Sequence, residues 1–253
     1  MILRRIASAL KDQQWTTVFI EFMIVVAGIL VALQLNNWNE ARLVNTKESA
    51  FMNRLALDVA TARTQLEDFI ELRFERMSAL QSISSMYFGA ESQRPLTKLE
   101  CNYLSNAHVI SYPPGGDVPS LSEAFDGGRI DLLRDEKLVR ALIAVKKEQK
   151  RLETALEAMT RDRRPALTRS HQDIVRWVLE PRQDEESNAD FFALVGQCDL
   201  STAGNNSEFL NELASLTSLN QVYVFFLRAY SDDLQALAEA LGIEEVEELE
   251  AIK

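Results

Sequence analysis

The run VFIEFMIVVAGILVALQLNNWNE, Val18 to Glu40, decides how the rest of the chain is read. Between Val18 and Leu35 only Glu21 and Gln34 are polar, apart from Gly28, across eighteen residues. At about 1.5 Å of rise per residue this is the short end of a membrane-crossing helix, and longer than the apolar part of most buried helices. Trp15 and Trp38 bracket it. On one helix they stand roughly 34 Å apart, so that the two indoles act as interface anchors on opposite sides of a bilayer. The competing readings fit less well. A buried helix seldom has an apolar surface all the way round. A cleaved signal peptide has a shorter apolar region ending in a small-x-small site, whereas this one passes into Leu35-Asn36-Asn37-Trp38.

The expected organisation is therefore a cytoplasmic segment 1–14, a membrane signal anchor 15–40 and an extracytoplasmic domain 41–253. Arg4, Arg5 and Lys11 precede the span and Arg42 and Lys47 follow it, a modest bias that keeps the amino terminus inside. The first forty residues carry three basic and three acidic side chains, so the net charge of −11 belongs wholly to residues 41–253. A domain that acidic repels phosphate backbones and anionic headgroups, which argues against nucleic acid and against a second contact with the lipid surface.

Beyond the span the chain reads as helix. No proline or glycine occurs from Ala41 to Phe88, and apolar residues recur at Leu55, Val59, Ala62, Leu66, Phe69 or Ile70, Met77, Leu80, Ile83 and Tyr87. A second helix opens near Asp135. Its coiled-coil-like stripe is Leu138, Leu142, Val145, Gln149, Leu152, Leu156 and Met159, with Gln149 the one polar break. Pro165 ends or kinks it, and Ile174, Trp177 and Val178 suggest that helix resumes as far as Glu180. A third carries Phe209, Leu213, Leu216, Asn220, Tyr223, Leu227, Tyr230, Leu234, Leu237 and Leu241, with Gly242 as its cap.

Shorter elements lie between. A helix is expected from Pro95 to about His108, followed by the irregular SYPPGGDVP, Ser111 to Pro119. Ser120 with Glu123 three residues later is a capping-box signature for another short helix, ending at Gly127-Gly128. QDEESNAD and LSTAGNNS frame a second irregular zone around Phe191 to Cys198. The expected fold is all-α: a transmembrane helix followed by an antiparallel bundle of three long helices plus short ones, with at most a stray pair of strands.

EFMIVVAGILVALQLNNWNE, Glu21 to Glu40, resembles the hallmark of a family of single-pass bacterial membrane proteins known only as a domain of unknown function. LSEAFDGGRIDLLRDEKLVRAL, Leu121 to Leu142, is similar to that family's second recurring stretch, although Asp126-Gly127-Gly128 stands where a Ser-Gly is common. The resemblance implies an inner-membrane anchor and a helical periplasmic domain. It implies no activity and brings no functional residues.

Gly28 and Ala32 lie seven and eleven positions beyond Glu21, which places each within about 20° of it on one helical face. Gly28-x-x-x-Ala32 admits a neighbouring helix closely, and Glu21 in that stripe faces the partner; alternatively, Glu21 reaches the nearby interface and does nothing more. Cys101 and Cys198 both fall on the expected outer side, where they are either a disulfide or two buried thiols. Arg161, Arg163, Arg164, Arg169, His171 and Arg176 concentrate positive charge around Pro165. That group is either a patch for an anion or an acidic partner, or an ordinary helix end paired with Asp162 and Asp173.

No G-x-S-x-G, G-x-x-x-x-G-K-[ST], G-x-G-x-x-G or H-E-x-x-H motif is present, and the two histidines, His108 and His171, have no metal-ligand spacing. The expectation is a non-enzymatic accessory or scaffold protein without cofactor or metal, partnered by the bilayer and by itself or another membrane protein. The alternative is an extracytoplasmic sensor that relays through a partner. A polar pocket among the helices favours sensing and a filled interior favours the accessory role.

Overall fold

The computed structural model describes residues 15–89, 91–161, 166–183 and 190–243. Helix α1 runs from Trp15 to Phe88, 74 residues. Sixty consecutive positions after Gly28 lack both helix breakers, and the helix stops only at Gly89. Two compact units divide the chain, Met1–Met52 and Asn53–Lys253.

In the first unit the apolar side chains face outward. Phe22, Ile24, Ile29, Leu30 and Leu35 are each more than half exposed. Among the described residues this is the one helix long and apolar enough to cross a membrane by length and composition, with none of its apolar window buried.

The second unit holds the core. On α1, Leu55, Val59, Ala62, Leu66, Leu80 and Ile83 are buried, as the three-and-four spacing requires. Helix α2 spans Lys98–Ser105, shorter at both ends than expected, because a capping box fixes its start. Thr97 Oγ1 accepts from the Glu100 N–H at 3.2 Å, and the Glu100 carboxylate accepts from the Thr97 N–H at 2.8 Å. Helix α3, Pro119–Asp126, begins with proline at its first position, and no side chain caps it from Val118. The expected Ser120–Glu123 box does not form: the Ser120 N–H and hydroxyl both donate to the Asp58 carboxylate of α1, so that the cap comes from another element. Gly128, at φ 64°, then opens a 3-10 turn, Arg129–Leu132.

Helix α4 spans Glu136–Arg161 and packs against α6, Ser207–Ala240. Asn206 caps α6 by accepting from the Phe209 N–H, and Gly242, at φ 74°, follows its end as the sequence suggests. One core cluster joins Leu80, Ile83 and Met86 of α1 to Leu104 of α2, Leu167 of the single turn α5 (Leu167–Ser170), and Phe209, Leu213 and Leu216 of α6.

The expectation of helix through Ile174, Trp177 and Val178 is wrong, and so is that of an irregular zone from Phe191 to Cys198. These residues belong to, or lead into, an antiparallel hairpin, β1 (Val175–Gln183) and β2 (Asp190–Cys198), in register from Val175↔Cys198 to Gln183↔Asp190. The fold is therefore mostly helical with one small sheet rather than all-α. Spacings of three and four over so short a run fit strand as well as helix, and Val175, Trp177 and Val178 are better strand formers. Pro181 breaks a helix but is tolerated in a two-stranded sheet, where both strands are edges.

Candidate functional site

The segment from Asn106 to Gly116 runs along α1, α4 and α6 with only Ala107, Pro113 and Gly116 buried, and the carbonyls it turns toward those helices must find donors. Each polar break in a helical stripe supplies one. Asn220, 1% exposed on α6, donates to the Ala107 carbonyl at 2.9 Å. Gln149 of α4 donates to the Gly116 carbonyl at 2.9 Å. Tyr223 donates to the Ser111 carbonyl at 2.5 Å, and Tyr230 lies within 3.4 Å of the Gly115 and Gly116 carbonyls. Burial pushes both phenols up, Tyr223 to about 12. Arg73 of α1, 5% exposed, donates to the Val109 carbonyl at 2.9 Å and to Ser111 Oγ at 2.6 Å, with its guanidinium over the Phe69 and Tyr223 rings. Gly115, at φ 71°, lies so close to the Ala62 carbonyl of α1 that no side chain fits.

Beside the hairpin an open groove of 560 Å³ is lined by Arg94, Asp173, Arg176, Gln197, Cys198 and Asp199, among others. Three of its charged side chains are engaged. Arg94 binds the Glu100 carboxylate through both terminal nitrogens, at 2.8 and 2.5 Å; that pairing, with the Thr97 hydrogen bonds, holds Glu100 down at about 2. Arg176 Nε donates to Gln197 Oε1 at 2.9 Å. Hydrogen bonds from Ser201 lower Asp199. The groove offers polar contacts to a ligand, the Asp173 carboxylate among them. Among the described residues no group of three or more His, Cys, Asp or Glu is placed to hold a metal ion.

Cys101 of α2 and Cys198 at the end of β2 are disulfide-bonded, with Cα atoms 5.8 Å apart. A Cβ on Gly196 would press into Ser105 and the Cys101 carbonyl, so glycine permits this close approach of β2 to α2.

The residues singled out in the sequence are dispersed. Gly28 and Ala32 lie on α1 in open space, exposed, with nothing near a Cβ placed on Gly28. Trp38 is exposed. The side chains of Trp15 and Glu21 lie outside the described ones. Arg161 is exposed at the end of α4 and Arg169 on α5, whereas Arg163 and Arg164 lie outside the described residues. His171 is buried, edge-on to Phe209, with Nε2 3.2 Å from the Glu212 carboxylate but off hydrogen-bonding direction. Of the four described, only Arg176 lines the groove. Arg73 escaped sequence reading although it sits on the apolar stripe of α1, between Ile70 and Met77; a charge at a core position was the available signal.

The class is thus a chain with one exposed, apolar, membrane-length helix and a disulfide-bonded, mostly helical domain whose core side chains hold its own loop. It belongs to the family of unknown function DUF6090, which matches residues 21–151, a little over half of the chain. No curated protein and no solved structure matches it.

Proposed function

We propose that this is a membrane-anchored, non-enzymatic accessory protein. In this reading residues 15–40 cross the inner membrane of a bacterium once with the amino terminus inside, and the rest, an antiparallel bundle of three long helices with its hairpin, lies in the periplasm. The observation that carries it is the contrast between the domain's polar core side chains and an outward-facing apolar helix: Asn220, Gln149 and Arg73 each donate to residues 106–116, whereas the helix around Gly28 and Ala32 is open. The disulfide supports the exported side, because such bonds persist in oxidising compartments. The partner is a second copy or another membrane protein, received along Glu21, Gly28 and Ala32 by close helix packing.

Replacing Gly28 with leucine holds two backbones apart and weakens association in a membrane-based dimerisation assay, while leucine at Val26, about 160° around the helix from Gly28, does not. Equal association of the wild type and both variants removes the packing face and leaves the helix a plain anchor. Crosslinking in native membranes followed by mass spectrometry identifies what lies against it. The groove beside the hairpin favours a second reading, ligand sensing relayed through that partner. A saturable shift of the groove's own side-chain signals on adding a small ligand is its test.

A further inference from the structure

Within a domain of strongly negative charge, one turn gathers cations without acids. Arg76 lies one turn beyond Arg73 on α1, and its Nη1 reaches the carbonyls of Asn106 and Val109, both at 3.3 Å. Those carbonyls bound the turn that presents His108, and α2, which leads into it, packs against α5, which carries the exposed Arg169. Burial and the neighbouring Arg73 bring Arg76 down to about 10. Partial burial, together with the Arg169 and Arg76 guanidiniums, depresses His108, and a backbone hydrogen bond to Ser105 only partly opposes them. Among the described residues no carboxylate lies within ion-pair distance of Arg73, Arg76 or Arg169. Glu75, next in sequence to Arg76, is engaged by the Tyr103 hydroxyl at 2.8 Å. Buried Nε atoms of both Arg73 and Arg76 have no partner.

Two partly or fully buried guanidiniums side by side are costly unless a negative charge completes them. Arg73 is fixed by its carbonyl contacts and rings, and serves as the floor. Arg76 and His108 are half-buried and Arg169 is exposed, so the group opens to solvent. We propose that Arg76, His108 and Arg169 form a binding site for a small oxyanion, the phosphate or carboxylate group of a soluble ligand. Arginine suits such groups because its planar fork donates two parallel hydrogen bonds. This site owes nothing to the helix face around Gly28 and stands or falls apart from it.

The test uses the full chain in neutral detergent micelles, with inorganic phosphate or malonate replacing chloride at constant ionic strength, and follows the imidazole proton resonances of the two histidines through a pH titration. A bound anion favours the charged imidazole, so His108 titrates at higher pH as either probe is added, saturably. Response to phosphate alone assigns a tetrahedral anion; response to both assigns oxyanions at large. Arg169→Gln, at an exposed position that leaves folding intact, weakens the apparent affinity about tenfold or more, and Arg76→Gln does the same. Arg176→Gln, in the groove, leaves it unchanged. If His108 titrates identically in chloride, phosphate and malonate, or if Arg169→Gln binds as the wild type does, there is no site here.

Discussion

Changing Asn220 to aspartate tests whether the loop from Asn106 to Gly116 is held by donors from the helices. The substitution keeps the volume but replaces an amide that donates to the Ala107 carbonyl at 2.9 Å and the Leu216 carbonyl at 2.8 Å with an anionic oxygen facing both. Leu216 belongs to the same helix, and the backbone N–H four residues on still serves it. Ala107 is left without its donor, which costs about 1 to 3 kcal/mol. Burying the new charge costs more. At 1% exposure a carboxyl pKa rises by up to about 3 to 5 units, each unit being about 1.4 kcal/mol. A loss of at least about 3 kcal/mol at neutral pH follows, or roughly 6 to 12 °C in midpoint for a domain of this size. Its pH dependence has a definite sign. The introduced carboxyl has a folded pKa above its unfolded value of about 3.9, so the charge deficit is full above the folded pKa and shrinks as pH falls toward the unfolded one. Once protonated, the group donates to Ala107 again. Urea unfolding of the full chain in micelles, followed by far-ultraviolet circular dichroism between pH 5 and 8, measures this. Asn220→Ala serves as the pH-independent comparison, at about 1 to 3 kcal/mol. Wild-type stability of Asn220→Asp at pH 7.5, or a deficit that grows on acidification, refutes the account.

Three further outcomes are expected. Replacing Cys101 and Cys198 together with alanine opens a loop spanning 97 residues and lowers stability by up to about 4.7 kcal/mol on the chain-entropy relation, read as a shift in urea midpoint that reductant reproduces in the wild type and not in the variant. Gly115→Ala places a methyl against the Ala62 carbonyl at a left-handed backbone position, so the melting temperature falls by several degrees, whereas alanine at Gly242, also left-handed but open, costs less. Glu100, held at about 2, contributes stability above its ordinary value near 4.5 that is lost as pH falls toward 2; Glu100→Gln removes that part of the acid limb and leaves the rest of the profile unchanged.

The sequence by itself determined the long elements. Sixty residues without glycine or proline specify the reach of α1, and the stripes of α4 and α6 name their buried residues correctly down to Leu156 and Leu237. Such features are local: a helix closes its own hydrogen bonds, so its period is written into consecutive residues. The apolar run at the amino terminus is local in the same sense. The tertiary structure alone decided three things. The hairpin exists because Val175–Gln183 and Asp190–Cys198 pair, and a strand's hydrogen bonds lie on another segment. Asp58, rather than Glu123, serves the start of α3, because a cap can come from sixty residues away. Gln149 and Asn220 stood out as breaks in their stripes, and Arg73 went unnoticed in its own. Their reason became visible only with the loop between them: a polar group on a core face is unfavourable until the fold brings it a carbonyl to satisfy.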